Sequence, residues 1–260
     1  MSDSNIGQKT EESKGENNKQ NIIDNIEFEI LSEDYTNFDL SFKLIVIGDS
    51  GVGKSCLTNN AIKNTFDDAY NATVGFEFFT FNIKLNNKVV KLQIWDTCGQ
   101  ELYRSLITNF YRNSSLAIIV YTVTDRSTFE NVDLWYKELR THANPNVKVF
   151  LIGNKIDLAD QRRIQTEEGQ RYADQYKLNK FIEASAKSGF NAKNIFIEAA
   201  KLLYDDYVLY HKDTEETDMS SETSSKTPET SDKKSGIDIS SKNLNSNQNN
   251  KNPGCCLGGK

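Results

Sequence analysis

Residues 48–55 read GDSGVGKS, which has the residue types and spacing of a phosphate-binding loop. Glycines let the backbone turn so that successive N–H groups face phosphate oxygens, and the N-terminus of a following helix adds positive potential. Lys54 would place a mobile positive charge beside the β- and γ-phosphates, and the Ser55 hydroxyl is a suitable ligand for Mg²⁺. Because an apolar strand-like run precedes the loop and a helical pattern follows it, the segment predicts a nucleoside triphosphate site rather than a chance glycine-rich turn.

A second polar segment, GNKID at residues 153–157, follows the apolar run 147–152. A carboxylate accepts two hydrogen bonds from the N1–H and exocyclic amine of guanine, and adenine offers no such pair. Asp157 would therefore select guanine, because the wrong base would leave a buried anion unpaired. Taken alone, the string is equally typical of a solvated turn, but its position after a buried strand favours base binding.

A third segment, WDTCGQE at residues 95–101, also follows a strand-like run. Asp96 could hold Mg²⁺ through a bound water, and Gly99 has no side chain to keep its N–H from a γ-phosphate. Gln100 is neutral and both donates and accepts, which suits it to orienting an attacking water. Together the three segments predict hydrolysis of a guanine nucleoside triphosphate.

The elements that must position these segments alternate between strands and helices. Strands are predicted at 42–47, 76–85, 89–95, 116–123, 147–152 and 181–182, and helices at 54–64, 101–112, 127–142, 166–178 and 190–210. Residues 86–87 predict a hairpin turn, and Ser127 with Glu130 predicts a capping box. This alternation predicts a three-layer α/β domain with a mostly parallel six-stranded sheet, one antiparallel edge strand and about five helices. Ligands of such sheets bind at the C-terminal ends of the strands.

Composition divides the 260 residues into a central domain and two polar flanks, with 37% apolar residues overall. The net charge is −7 for residues 1–40, +2 for 41–210 and −1 for 211–260, which makes up the total of −6. We expect a disordered extension at 1–40, a domain at 41–210 and a flexible tail at 211–260. An alternative for the extension is that a short helix docks, since Ile22, Ile23, Ile26 and Ile30 have helical spacing.

The composition and the terminal residues also argue against several functional classes. The chain is not strongly basic, which argues against a nucleic-acid partner. No apolar run reaches membrane-spanning length, and the N-terminus has neither a signal-peptide pattern nor a glycine after Met1 for myristoylation. The four cysteines form no disulfide framework and indicate a reducing, cytosolic compartment.

Five motifs stand in the order and spacing of the Ras-like small GTPases, which the chain resembles over residues 41–210. They lie at 48–55, 73, 96–100, 154–157 and 185–187. Within that family the chain resembles a Rab, through the segments 73–78, 91–95, 104–106 and 111–112. Further similarity around 104–107 and 158–168 indicates the Golgi-associated Rab branch.

The resemblance implies a switch that cycles between GTP and GDP and recruits effectors in vesicle trafficking. Ser55, Thr73 and Asp96 would hold Mg²⁺, Phe66 would pack on the guanine, and residues near 68–78 and 96–112 would be the switch regions. The residues expected to bind nucleotide are Asp49, Ser50, Gly51, Val52, Gly53, Lys54, Ser55, Cys56, Phe66, Thr73, Gly99, Asn154, Lys155, Asp157, Leu158, Ser185, Ala186 and Lys187.

The resemblance also assigns Gln100 to catalysis, and Phe78, Trp95 and Phe110 to an effector-binding triad, with core packing an equal alternative for Trp95. Neither switch carries an evident internal arginine finger, so hydrolysis should be slow until a GTPase-activating protein (GAP) is present. Cys98 stands where the family usually has alanine, and we expect it to be a buried, inert thiol.

Cys255 and Cys256 resemble the double geranylgeranylation site of Rabs, since two lipid chains anchor stably and one only marginally. Residues 257–260 follow them, which is more than Rab ends usually carry, and Leu257 at the fourth position from the end excludes a CaaX box. The implied partners of this monomeric domain are an exchange factor, a GAP, Rab escort protein, GDP-dissociation inhibitor and effectors. The implied location is the cytoplasmic face of Golgi or other endomembrane vesicles, with a cytosolic pool. Two other readings stay open, a nucleotide-locked scaffold and a cytosolic Ras- or Rho-type regulator.

Overall fold

A central β-sheet organises the computed structural model, which describes residues 26–68, 73, 75–99, 110–218 and 237–238. Its strands are β1 (Phe28–Leu31), β2 (Leu40–Ile47), β3 (Phe76–Leu85), β4 (Lys88–Thr97), β5 (Leu116–Thr122), β6 (Lys148–Asn154), β7 (Lys180–Glu183) and β8 (Ile237–Asp238). They lie in the order β1-β3-β4-β2-β5-β6-β7, with β8 against the start of β2. Strand β3 runs antiparallel to both of its neighbours, and the other pairs are parallel.

Helices cover both faces of this sheet, as the alternation of elements predicts. The described residues form α1 (Lys54–Lys63), α2 (Arg126–Glu130), α3 (Val132–His142), α4 (Thr166–Gln175) and α5 (Ala192–Asp218). Along β2, Leu44 and Val46 lie in one buried cluster with residues of α1 and α5, and Ile45 and Ile47 lie in another with residues of α3. Since successive side chains of a strand point to opposite faces, burial of both sets confirms the three-layer α/β fold.

The six predicted strands and the hairpin at residues 86–87 are present, and Asn86 takes the left-handed conformation with φ of 51°. Most of the predicted helix 101–112 lies outside the described residues. The prediction of a capping box at Ser127 is wrong, because Asp125 caps α2 by accepting the Ser127 N–H at 3.0 Å. A capping box occurs instead at α4, between Gln165 and Glu168.

The polar flanks contain more regular structure than their composition indicates. The prediction of disorder for 1–40 is wrong for Phe28–Leu31, which pairs antiparallel with Asn82 to Leu85 of β3. Ile26 is buried in the core beside this strand, so the helical spacing of the isoleucines does not produce a helix there. At the other end, α5 continues eight residues past the predicted boundary at 210. Residues 1–25 lie outside the described part of the chain.

Asn82 fixes the segment that follows β1. Its buried amide donates to the carbonyl oxygens of Ser32 at 2.8 Å, Glu33 at 3.1 Å and Tyr35 at 3.3 Å. One side chain on the sheet therefore contacts backbone carbonyl groups across four residues of the incoming chain, in addition to the Tyr35 N–H bond to the Ser32 carbonyl.

Replacing Asn82 with alanine is expected to lower the free energy of unfolding by about 1–3 kcal/mol, because the segment loses its hydrogen bonds to the Asn82 amide. Urea unfolding followed by fluorescence measures this, and limited proteolysis should cut the variant faster between residues 26 and 39. Asn87→Ala, in the exposed turn of the same hairpin, is the matched control and should stay within about 0.5 kcal/mol. Equal losses in the two variants would contradict the role given to Asn82.

Candidate nucleotide-binding site

A cleft of about 750 Å³ opens at the C-terminal ends of β2, β4 and β6, where the fold class places ligands. Most of the predicted nucleotide-binding residues line it. They are Ser50, Gly51, Gly53, Lys54, Ser55, Cys56, Phe66, Thr73, Gly99, Asn154, Lys155, Asp157, Leu158, Ala186 and Lys187. Residues separated by more than 100 positions in the chain therefore meet at one site, as the motifs indicate.

The loop between β2 and α1 has the backbone of an anion-binding turn. Gly48, Gly51 and Gly53 have φ of 137°, 76° and 93°, a region that glycine adopts without strain. At Gly53 an added Cβ would also lie 2.5 Å from the side-chain nitrogen of Asn154, so both conformation and space require glycine. Helix α1 begins at Lys54, and its first three residues line the cleft. The N–H groups of a first helical turn have no partner within the helix and are available to an anion.

Lys54 is a buried cation whose hydrogen-bond partners, among the described residues, are neutral carbonyl groups. Its Nζ donates to the carbonyl oxygens of Gly48 at 2.9 Å and Asp49 at 2.7 Å, and the side chain is 5% exposed. Burial lowers the pKa of the Lys54 ammonium to about 8, although the nearby charges of Asp96 and Asp49 act in the opposite direction. An anionic phosphate entering the loop would give this ammonium a hydrogen-bonded partner of opposite charge.

Three oxygen-bearing side chains meet beside the loop. The Ser55 hydroxyl lies 2.7 Å from Thr73 Oγ1 and donates to Asp96 Oδ2. Burial raises the pKa of the Asp96 carboxyl to about 7, against the lowering effects of the Ser55 hydrogen bond and the Lys54 charge. The second oxygen of Asp96 is buried and has no hydrogen-bond partner among the described residues. An all-oxygen set with a free carboxylate oxygen fits Mg²⁺, which Ser55, Thr73 and Asp96 would hold.

The far end of the cleft carries the predicted base-recognition residues. Ser185 donates to Asp157 Oδ1 at 2.5 Å, which fixes the orientation of that carboxylate. Lys155 donates from Nζ to the Gly51 carbonyl at 2.7 Å, across the mouth of the phosphate loop. Asp157 is exposed in this structure and not buried as the sequence reading assumes. It is therefore open to a ligand, and the base itself would have to exclude water from it.

Asn154 connects the two ends of the site. It is fully buried, donates to the Val52 carbonyl at 2.8 Å and accepts from the Ala186 N–H at 3.0 Å. These contacts tie the phosphate loop to the 185–187 loop, so the described role of Asn154 is to hold the walls of the cleft together.

Not every predicted residue lies in the cleft. Val52 and Ser185 are buried behind it, and the Asp49 carboxylate points towards α3. Gln100, Cys255 and Cys256 lie outside the described residues. The sequence reading missed Asn59, Thr65, Asp67, Asp68 and Glu77, which also line the cleft. Asp68 and Glu77 lie in the predicted switch region 68–78 but were assigned no contact with nucleotide, and the other three belong to no motif.

The predicted effector residues form one surface with a fourth aromatic ring that the sequence reading missed. Phe78 lies 5.2 Å from Trp95 between ring centroids, and Trp95 lies 5.2 Å from Phe110. Phe76 contacts both Trp95 and Phe110, at 5.2 and 4.8 Å. Phe76 and Phe78 are about half exposed, and Trp95 is partly buried. We call these four residues the aromatic cluster.

Two further features bear on the class of protein. Cys98 is a free thiol with 2% exposure, which agrees with the inert role expected for it. None of the helices in the described part of the chain combines the length and apolar character that crossing a bilayer requires.

A phosphate-loop backbone, three oxygen-bearing side chains beside it and an exposed carboxylate at the far end of the cleft, on an α/β sheet, are the features expected of a guanine-nucleotide-binding domain. Comparison with known proteins agrees, since the model of the Ras family matches residues 43–205. Ras-related protein RABA1b of Arabidopsis thaliana is 47% identical over 168 residues, covering 65% of this chain and 77% of that protein. Ras-related protein Rab11D of Lotus japonicus is 47% identical over 167 residues, covering 64% and 76%. The chain belongs to the Ras family, and within it to the Rab-type small GTPases.

Membership sets the general function. The protein is a GTPase that binds GTP and GDP, and it acts in vesicle trafficking. The family binds Mg²⁺ with the nucleotide and works with exchange factors, GAPs, GDP-dissociation inhibitor and effectors, in association with endomembranes.

Proposed function

We propose that GTP binds in the cleft described above and that Gln100 orients the water that attacks its γ-phosphate. The observation that carries this proposal is the arrangement at the phosphate loop. The Lys54 ammonium is buried there, and so is an Asp96 oxygen that has no hydrogen-bond partner among the described residues. The phosphates of GTP would pair with the ammonium, and Mg²⁺ would pair with the carboxylate. Ser55, Thr73 and Asp96 would hold the ion, which when bound neutralises charge on the transferred phosphoryl group. Asp157, oriented by Ser185, would accept from the guanine edge.

Hydrolysis by the isolated protein should be slow. The residues that line the described part of the cleft include two lysines around the phosphate loop, Lys54 and Lys155, and no arginine. An arginine placed against the transferring phosphoryl group accelerates this reaction by roughly 10³–10⁵ in related enzymes. We therefore propose that a GAP completes the site.

The γ-phosphate would control partner binding through the segments that surround it. Gly99 and Thr73 lie at the phosphate end of the cleft. Gly99 follows β4, which carries Trp95, and Thr73 precedes β3, which carries Phe76 and Phe78. We propose that the cluster is the effector surface of the GTP-bound state, with Phe78, Trp95 and Phe110 as its core.

Gln100→Leu is expected to reduce single-turnover GTP hydrolysis by about tenfold or more while GTP affinity changes little, because leucine cannot orient the water. Purified protein loaded with GTP and followed by phosphate release measures this. Gln175→Leu is the matched control, since Gln175 lies exposed at the end of α4, and it should hydrolyse at the wild-type rate.

The competing function is a nucleotide-locked scaffold that binds GTP or GDP without turnover. Absence of hydrolysis in wild-type protein, even with a Rab-directed GAP, would favour the scaffold and contradict the cycle. Equal rates in Gln100→Leu and wild type would reject Gln100 as the residue that orients water.

We further propose that the cysteine pair near the end of the sequence carries two geranylgeranyl groups, added with the help of Rab escort protein. The lipids would hold the protein on the cytoplasmic face of Golgi or other endomembrane vesicles, with GDP-dissociation inhibitor maintaining a cytosolic pool. A cytosolic Ras- or Rho-type regulator would not depend on escort protein, which separates that alternative.

A further inference from the structure

Asp49 is the second residue of the phosphate loop, yet its carboxylate faces away from the cleft. Oδ2 accepts from Asn131 Nδ2 at 2.7 Å, and Oδ1 accepts from Trp135 Nε1 at 2.7 Å. Both donors lie at the start of α3, more than 80 residues further along the chain. Residues four apart lie on the same helix face, so one face of α3 presents two N–H groups to one carboxylate.

The main chain of Asp49 is part of the nucleotide site. Its carbonyl oxygen accepts from Lys54 Nζ at 2.7 Å. Its C and O atoms lie 2.3 and 2.4 Å from the point where a Cβ on Gly99 would stand, so loop and Gly99 are in close contact. A displacement of Asp49 would therefore shift both the phosphate-binding lysine and the glycine expected to meet the γ-phosphate.

The side chain of Asp49 poses an electrostatic problem, because a loop that binds a polyanion carries a carboxylate. An unpaired carboxylate there would repel the phosphates and would be free to rotate towards them. The two donors at the start of α3 hold the carboxylate away from the cleft and stabilise its charge by hydrogen bonding. The α3 side of this contact is rigid, since Trp135 is 1% exposed and packs in the cluster that contains Ile45, Ile47 and Leu139.

We propose that Asn131 and Trp135 are positioning residues for nucleotide binding, acting through the carboxylate of Asp49. The proposal rests on the proposed function, in that the cleft must hold a guanine nucleotide. It adds that α3, which does not line the described cleft, sets how long the nucleotide stays bound.

Trp135→Phe tests this, because phenylalanine keeps an aromatic ring in the core and removes the N–H. The full chain is loaded with a fluorescent GDP analogue, and its dissociation rate is measured after addition of excess GDP. We expect release about three- to tenfold faster than in wild type, the scale of losing one ordinary intramolecular hydrogen bond. Asn131→Ala, at a half-buried position, should act in the same direction and serves as the second variant if Trp135→Phe folds poorly.

Leu139→Ala is the control for packing. Leu139 lies one turn further along α3, is fully buried in the same cluster and has no polar side-chain atom. The control should lower the melting temperature at least as much as Trp135→Phe and leave GDP release within about twofold of wild type. A role in packing alone would move the two variants together.

A double-mutant cycle with Asp49→Ala assigns the effect to the carboxylate. If Trp135 acts through Asp49, Trp135→Phe should not accelerate GDP release further in the Asp49→Ala background. The sequence has only two tryptophans, so the Trp135 indole ¹H–¹⁵N resonance is readily assigned by its loss in Trp135→Phe. It should shift in Asp49→Ala and be protected from hydrogen exchange in wild type.

Two results would overturn the proposal: equal GDP release in Trp135→Phe and Leu139→Ala, or an effect of Trp135→Phe that persists undiminished without Asp49. Both require that wild-type protein binds GDP. If it binds none, the proposed function fails instead, so the two failures are distinguishable.

Discussion

Replacing Asp157 with asparagine is expected to lower the affinity for GDP by roughly a hundredfold or more and to raise that for the xanthine nucleotide. The carboxylate offers acceptors to both N1–H and the exocyclic amine of guanine. Asparagine keeps one acceptor and replaces the other with an N–H₂ donor, which opposes the guanine amine and matches the carbonyl that xanthine has in its place. Competition of GDP and XDP against a fluorescent guanine nucleotide measures both affinities.

The control is Asp160→Asn, which removes one negative charge from the adjacent short helix at Ala159–Gln161. Asp160 does not line the cleft, so both affinities should remain at the wild-type values. If Asp157→Asn weakened both nucleotides equally, the carboxylate would not be reading the base. Its contact with Ser185 would then be only part of the loop structure.

The second large effect is expected at the cysteine pair. In cells fed a labelled isoprenoid, Cys255→Ser/Cys256→Ser should incorporate no lipid and should leave the membrane fraction. Each single variant should retain one chain and bind membranes weakly and reversibly, because one chain of this size gives only marginal anchoring. Equal labelling of the double variant and wild type would contradict lipidation at these residues.

A chain that ends at Cys256 is the matched control for the residues that follow. If the four residues 257–260 do not hinder prenylation, this shortened chain and wild type should be labelled equally. Labelling of the shortened chain alone would show that residues 257–260 block the modification, and would reject the proposed anchor.

The parts of the site that are predictable from sequence are those whose chemistry lies in consecutive residues. Residues 48–55 specify their own turn, because glycine conformation, the lysine and the helix start are all local. Strands β2, β5 and β6 are likewise predictable, since strands covered on both faces have nearly continuous apolar runs. Strand β5, with all seven residues buried, is the clearest case.

What could not be predicted depends on contacts between distant parts of the chain. Nothing near Asp49 in the sequence indicates that Trp135 will be its partner, and a tryptophan on a helix reads simply as core. Phe76 joins the aromatic cluster because the register of β3 and β4 places Phe78 opposite Trp95, which leaves Phe76 as a diagonal neighbour of Trp95. The sequence predicts a buried Asp157, whereas the structure leaves it exposed beside Ser185. The exposure of one side chain depends on how distant loops lie around it, and sequence spacing does not determine that arrangement.

Strand β1 is a second case, because it is only four residues long and lies within residues 1–40, which are polar on average. Such a short segment becomes a strand when it meets an edge with unpaired N–H and C=O groups, and β3 provides that edge over Asn82 to Leu85. The outcome depends on the partner surface, which a composition-based reading of residues 1–40 does not include.

The pairing of β1 has a consequence for how much of this protein can be removed. A chain shortened to begin at residue 41, where composition places the domain boundary, would lose the strand that covers Asn82 to Leu85. Among the described residues, the outer edge of β3 would then have no strand partner along any of its ten residues. An open edge of that length is a template for pairing with another molecule, so the shortened protein would be prone to self-association. Strand β1, which contributes nothing to the described cleft, would thus help to keep the molecules apart in solution.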